Sequence, residues 1–304
     1  MDEMDDLLSG VGVADDTRNE AISDLRARIR KHWDGFSPAA RAVCRSLSES
    51  SAEQLLFMSA IELGNETKTS NATVIRTLQA LGYSGLADLK GRVAAPFTTN
   101  TRPELRARQR IESTGGDLSN VWERVAAESI DRVELLKRTF AIDDYQYAVQ
   151  LLLGAGHITV YGFGASFIAA EHLALKLGRM GRRSRCIQSG GFRFADDLLA
   201  IERGDAVVVF APARLLKEVE VLLDRSRAVG AATILVTDEL MEQLADDVTV
   251  ALHSPNTPTG MTAEPLTSIV IADALAQGVA ASNVERTVES SHTLTTLREQ
   301  LGFS

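Results

Sequence analysis

Two periodicities divide this chain. From Ala21 to about Val93 apolar residues recur at helical spacing, and no stretch alternates with a period of two. Beyond His157 the pattern changes to short β-branched runs: HITVYG (157–162), SRCIQ (184–188), DAVVVFA (205–211), ATILVTD (232–238) and DVTVAL (247–252). Helical patterns lie between and after them, near 166–180, 192–201, 214–229, 239–245 and 264–282. Apolar strands separated by helices imply a parallel sheet covered on both faces, and five strands make a small doubly wound domain. A long amphipathic helix is expected over 118–140, ahead of the first strand. The predicted class is α/β: an all-α N-terminal domain followed by a five-stranded parallel doubly wound α/β domain. The expected boundaries are a disordered acidic arm at 1–20, a helical domain at 21–94, a linker at 95–117 and the α/β domain at 118–304. The linker assignment rests on two prolines, a Thr/Asn cluster and a Gly-Gly pair around the basic run RPELRARQR. No internal repeat is visible.

Composition changes this picture little, but charge distribution does. The chain has 304 residues, 45% of them apolar and 24% charged, with a net charge of −9. Residues 1–20 hold seven acids and one arginine, whereas residues 21–112 hold fourteen Lys/Arg against nine Asp/Glu. A basic helical domain ahead of an acidic α/β domain is the asymmetry expected of a nucleic-acid-binding module joined to a different function. No apolar run reaches the ~20 residues needed to span a bilayer, and the acidic start lacks the pattern of a secretory signal, so a cytoplasmic location without membrane association is expected. Cys44 and Cys186 show no metal-ligand spacing, and the five histidines are scattered, so neither a metal nor a cofactor is expected.

The most informative segment is FMSAIELGNETKTSNATVIRTLQALGYSGLADLK, residues 57–90. A helix near 58–66, a polar turn at Thr67-Lys68-Thr69 and a second helix with Ser70 as N-cap form a helix-turn-helix pattern. Val74, Leu78 and Leu81 make one buried stripe, and Gly82 ends the helix. That turns Thr69, Ala72, Thr73, Arg76 and Gln79 outward. Small residues permit close approach to base edges, and Arg or Gln can pair with them. Lys68, Ser70 and Asn71 stand at the helix start, where phosphate oxygens are favoured. A helical hairpin with a solvated polar face is the alternative.

Ser-Asn-Ala-Thr-Val-Ile-Arg (70–76), Leu81-Gly82-Tyr83 and Gly85-Leu86-Ala87-Asp88-Leu89-Lys90 resemble the helix-turn-helix of RpiR-type transcriptional regulators, and FSPAARAVCRSL (36–47) resembles that family's opening helix. The family follows this module with a sugar isomerase (SIS) domain, so the resemblance spans about 21–93 and 118–283. It implies a DNA-binding regulator that reads a double-stranded operator through Ser70, Thr73 and Arg76 and senses a small molecule. Two positions depart from the family: Lys68 stands where a glycine is usual, and Thr69 where an apolar residue is usual.

In the α/β domain, Gly162-Phe163-Gly164-Ala165-Ser166 joins the first strand to its helix. Its glycines allow a sharp turn with backbone N–H groups near an anion. A dinucleotide fold would need a third glycine where Phe167 stands and an acid where Gln188-Ser189 stand, which argues against NAD. The form resembles the first loop of SIS domains, which implies Gly162, Gly164 and Ser166 as ligand-binding, with Ser189 contributing. The third strand departs most. SIS domains usually carry Ser-x-Ser-Gly-x-Thr/Ser there, whereas this chain has Phe210-Ala211-Pro212-Ala213-Arg214 and, further on, Lys217. Arg214 is the candidate to supply the missing charge. The effector is expected to be a phosphosugar, another anion, an apolar molecule, or none.

An isomerase would need a general base, and Glu171, His172 and Glu264 are the groups near that loop. The lost hydroxyl loop and the attached helix-turn-helix favour a regulator over an enzyme. The apolar helix at 264–282 is expected to be core or a dimer interface, in a homodimer or larger even oligomer that presents two recognition helices to two half-sites.

Overall fold

The computed structural model describes residues 20–98, 118–211, 215–256 and 265–303. The expected acidic arm lies almost wholly outside them, as does most of the expected linker. The chain divides into two compact units, one running to Arg138 and the other from Thr139 onward.

The N-terminal unit is all helical: α1 (Glu20–His32), α2 (Pro38–Glu49), α3 (Ala52–Phe57), α4 (Ala60–Glu66), α5 (Asn71–Ala80), α6 (Leu86–Thr98) and α7 (Leu118–Thr139), with a 3₁₀ turn at Trp33–Gly35. Four of these helices start on serines whose hydroxyls accept a backbone N–H of the first turn: Ser37, Ser51, Ser59 and Ser70. At Ser51 and Ser59 the third helical residue, Gln54 or Glu62, reaches back to the cap, completing a capping box. One core gathers Ile22, Leu25 and Ile29 of α1, Val43 and Leu47 of α2, Leu63 of α4, Val74 and Leu78 of α5, and Leu89 and Val93 of α6. α6 runs through Pro96 to Thr98, where a linker was expected from residue 95. α7 up to Arg138 groups with this unit, whereas the sequence placed 118 onward with the α/β domain.

The second unit is the expected doubly wound sheet. After α8 (Ile142–Gly154), the strands are β1 (Ile158–Gly162), β2 (Ser184–Cys186), β3 (Ala206–Phe210), β4 (Ala232–Thr237) and β5 (Val250–His253). They are all parallel, in the order β2-β1-β3-β4-β5, with Ile158 opposite both Ser184 and Ala206. The helices are α9 (Ser166–Arg179), α10 (Phe192–Leu199), α11 (Lys217–Val229), α12 (Met241–Leu244), α13 (Leu266–Ser282) and α14 (Val284–Gln300). Tyr161, Val207, Val209 and Leu235 of one sheet face share a core with Phe194 and Leu198 of α10 and Val219, Leu222 and Leu223 of α11. The apolar α13 is core: Ile271, Ala272, Leu275, Ala276 and Val279 are buried, and it packs on α8 and α9. A Cβ at Gly278 would lie 2.5 Å from the Tyr145 hydroxyl, so only glycine lets α8 and α13 close to this distance.

Candidate functional sites

The N-terminal unit carries the first site. α4, the turn and α5 form the helix-turn-helix, with Val74, Leu78 and Leu81 at 0%, 0% and 2% exposure beneath it. Close packing at the turn depends on Gly64, where a Cβ would stand 3.0 Å from the Thr69 carbonyl. Lys68 adopts φ +53°, the one non-glycine residue at positive φ among the described residues. The position where the family resemblance leads one to expect glycine therefore does take the left-handed region, and a lysine occupies it at a cost in backbone strain. The Thr67 hydroxyl donates to the Leu63 carbonyl at 2.6 Å and lies 2.9 Å from the Thr69 hydroxyl. Thr69 is thus half-buried in the turn rather than facing outward, and Thr73 is also half-buried.

Lys68, Ser70, Asn71, Arg76 and Gln79 are all exposed. Ser70 serves first as the cap: its hydroxyl accepts the Thr73 N–H at 3.2 Å. Arg76 folds along its own helix, with Nε donating to the Ala72 carbonyl at 3.2 Å. The far end of α5 is held by a residue that sequence reasoning missed. The Arg28 guanidinium donates to the Leu81 carbonyl at 3.1 Å while lying over the Tyr83 ring, whose other cationic neighbour is Arg92. Arg28 lies 53 residues away in the chain, so no local pattern could reveal this contact.

Behind the helix-turn-helix lies a second feature absent from the sequence reading, a buried charged cluster. Lys90 of α6 and Glu128 and Arg132 of α7 are 3%, 5% and 1% exposed. Asp131 of α7 accepts a hydrogen bond from the backbone of Ala60, at the start of α4. Arg124 pairs with Glu62 at 3.4 Å. Burial pushes the Lys90 ammonium below its ordinary pKa against the pull of Glu128 and Asp131, and pushes the Asp131 carboxyl up despite Lys90. One Asp131 oxygen has no hydrogen-bond partner among the described residues.

The second site lies at the carboxyl ends of the strands, where β1 and β3 send their chains in opposite directions and a crevice opens. A Cβ at Gly162 would fall 2.5 Å from the Ser166 carbonyl, so this glycine is required by close approach. Gly164 has φ +58° and serves by conformation. The N–H groups of Ser166, Phe167 and Ile168 close i→i+3 turns at 3.1–3.2 Å. Those of Gly164 and Ala165 have no partner among the described residues, and Ser166 begins α9. Backbone donors, a hydroxyl and a helix N-terminus therefore converge beside the crevice, which suits an anion.

Ser189 follows β2, but its hydroxyl bonds to Asp197, which also pairs with Arg185 at 2.9 Å. It keeps lone pairs for a ligand and has committed its proton. Arg214 lies outside the described residues, as do Pro212, Ala213 and Glu264. Glu171 is exposed beside Gln188, and His172 bonds Asp273 of α13 at 2.9 Å. These two groups thus have partners on the helix surface. No group of three or more His, Cys, Asp or Glu able to hold a metal occurs among the described residues, and none of the described helices is long and apolar enough to cross a membrane.

Residues 151–277, within the second unit, match the SIS domain family. The chain is 26% identical to the Bifunctional protein glk of Paraburkholderia xenovorans over 90% of its own length, but spans only 42% of that protein. It is also 26% identical to the HTH-type transcriptional regulator YbbH of Bacillus subtilis, covering 74% of this chain and 80% of that one. Among solved structures, the Vibrio vulnificus NanR protein complexed with ManNAc-6P aligns over 91% of this chain and 98% of its own, with TM-score 0.54 and 22% identity. The sugar isomerase domain of an RpiR transcription factor from Sphaerobacter thermophilus aligns over 57% of this chain and 97% of its own, with TM-score 0.54 and 20% identity. Proteins named as HTH-type transcriptional regulators and the sugar isomerase domain of an RpiR factor are thus among the proteins this chain resembles.

Proposed function

We propose that this chain is a DNA-binding transcriptional regulator of the RpiR type, working in the cytoplasm as a homo-oligomer. The observation that carries the reading is the outward face of α5: a capped, well-packed helix that presents Ala72, Arg76 and Gln79 beyond a turn topped by Lys68. A solvated helix has no need of small residues at its leading end, whereas one lying against base edges does. Lys68, Ser70 and Asn71 meet phosphate, and Thr73, Arg76 and Gln79 meet bases.

The SIS unit senses an anionic metabolite of the phosphosugar class through the Gly164 and Ala165 N–H groups and Ser166, with Arg214 supplying positive charge. The ligand in the NanR complex, ManNAc-6P, supports that class. A sensing role fits better than isomerisation, because Glu171 and His172 are engaged on the helix surface. Use of the SIS domain for assembly alone is the second reading, favoured by the replaced hydroxyl loop after β3.

The test is binding of purified protein to DNA from its own upstream region under a salt titration, with Arg76→Ala as the variant. Specific, salt-sensitive binding is expected, weakened by about 1–3 kcal/mol in the variant with relaxed sequence preference. Equal affinity for random DNA, unchanged by the substitution, would remove the regulator reading.

A further inference from the structure

α7 buries Ala127, Leu135 and Leu136 and carries a second apolar stripe on its outer face. Its charged residues Glu128 and Arg132 point inward, while Leu118, Trp122, Ile130 and Val133 are 82%, 68%, 55% and 38% exposed. With half-exposed Ala126 between them, these five recur at intervals of four, four, four and three residues, so they form one stripe about 22 Å long on the outer face. A stripe of large apolar side chains free of charge marks a surface made to be covered.

We infer that the stripe pairs with the same stripe of a second copy of this chain, as an antiparallel helix pair with its two-fold axis at Ala126. The sequence of the stripe argues for a copy of itself. Reversing it about Ala126 sets Trp122 of each copy against Ile130 of the other and brings Leu118 near Val133. The smallest side chain falls at the crossing point, where two helices approach to about 8 Å. A patch that complements itself by reversal is what an isologous contact requires. The inward charges now have a purpose as well. With Glu128 and Asp131 facing Lys90 of α6 and Asp131 bonded to Ala60 of α4, α7 is free to offer its apolar face, and pairing the two α7 helices joins two DNA-reading units. One helix pair is smaller than a standard interface of about 800 Å² per partner, so this contact is concentration-dependent and strengthens on a two-site operator.

The inference takes its purpose from the regulator reading, yet its test needs no DNA. Full-length Ala126→Cys is oxidised mildly at micromolar concentration, beside Glu134→Cys, an exposed position on α7 away from the axis. The native thiols contribute little background, since Cys44 is buried and burial pushes the Cys186 thiol up to about 12. Disulfide-linked dimer is expected at least about tenfold faster at Ala126→Cys, where pairing raises the effective thiol concentration. Adding Trp122→Glu to that variant, a change at an exposed site, is expected to return the rate to that of Glu134→Cys. Equal rates for the two single variants, or no effect of Trp122→Glu, would overturn the inference and show the stripe to be covered by something other than its own copy. Either result leaves the Arg76→Ala test intact.

Discussion

Lys68 shows how much one backbone angle can set. A lysine at φ +53° carries the Cβ strain that glycine escapes, and it is held there by the Thr69 N–H to Gly64 carbonyl bond at 2.8 Å. Lys68→Gly is expected to stabilise the N-terminal unit by about 0.5–1 kcal/mol, the strain relieved less the entropy that glycine adds to the unfolded chain. The same variant should lower the slope of log affinity against log salt by about one, since a phosphate contact goes with the ammonium. Thermal unfolding and a salt titration read the two effects separately. Asp88 makes a different kind of turn. It accepts the Ser84 N–H at 2.8 Å and pairs with Arg92 at 3.0 Å. Burial pushes its carboxyl up, yet these hydrogen bonds outweigh burial and leave it below the usual carboxylate range. A depressed carboxylate stabilises the fold above its unfolded pKa of about 3.9 and loses that contribution as pH falls through the lower folded value. Asp88→Asn should therefore cost about 1 kcal/mol at neutral pH, and the gap to wild type should narrow in melts taken from pH 5 down to pH 2. At this scale the sequence was legible where partners are neighbours, as at the Ser70 cap. Thr69 was misread because its hydroxyl turns back to Thr67, and the Ser189–Asp197 bond was not visible because Asp197 comes from the following helix.

Helices with one apolar stripe and a cap were readable, and those without were not. α5 is bounded as Ser70 and Gly82 predicted, and the strand cores lie within the expected runs. α8 went unassigned, and so did α14, in which no residue is buried and no stripe marks the period. The last strand begins three residues later than its β-branched run suggests, because Ala245–Asp247 form a 3₁₀ turn first. α7 was found with nearly its true ends, but its inner face could not be inferred. Lys90, Glu128 and Arg132 are buried beside apolar residues such as Leu135 and Leu136, and only the partner helices reveal it. These charges hold one another. Asp131→Ala leaves Lys90 short of an opposite charge in a site closed to water and should cost about 3–5 kcal/mol. Replacing both, as Lys90→Met with Asp131→Asn, should recover much of that loss. Denaturant unfolding followed by Trp33 fluorescence distinguishes the two, and equal losses in single and double variants would argue against coupling.

At the scale of the whole molecule, the change from period 3.6 to short β-branched runs separated the helical unit from the parallel sheet. The compact units divide at a different place from the expected boundary, with α7 up to Arg138 grouped with the first unit. The strand order was not readable either, because runs of equal apolarity carry no mark of who pairs with whom. That order has a consequence in time. The described helices of the first unit have all been made by Thr139, whereas β1 waits for β3 at Ala206–Phe210 before its sheet has a centre. At ~5–20 residues per second, a growing chain spends about 3–14 s with the reading head assembled and no sensor behind it. If the proposed function holds, a ribosome that stops within that window releases the DNA-reading unit without its sensor, so the order of the two units makes premature termination a route to unregulated binding.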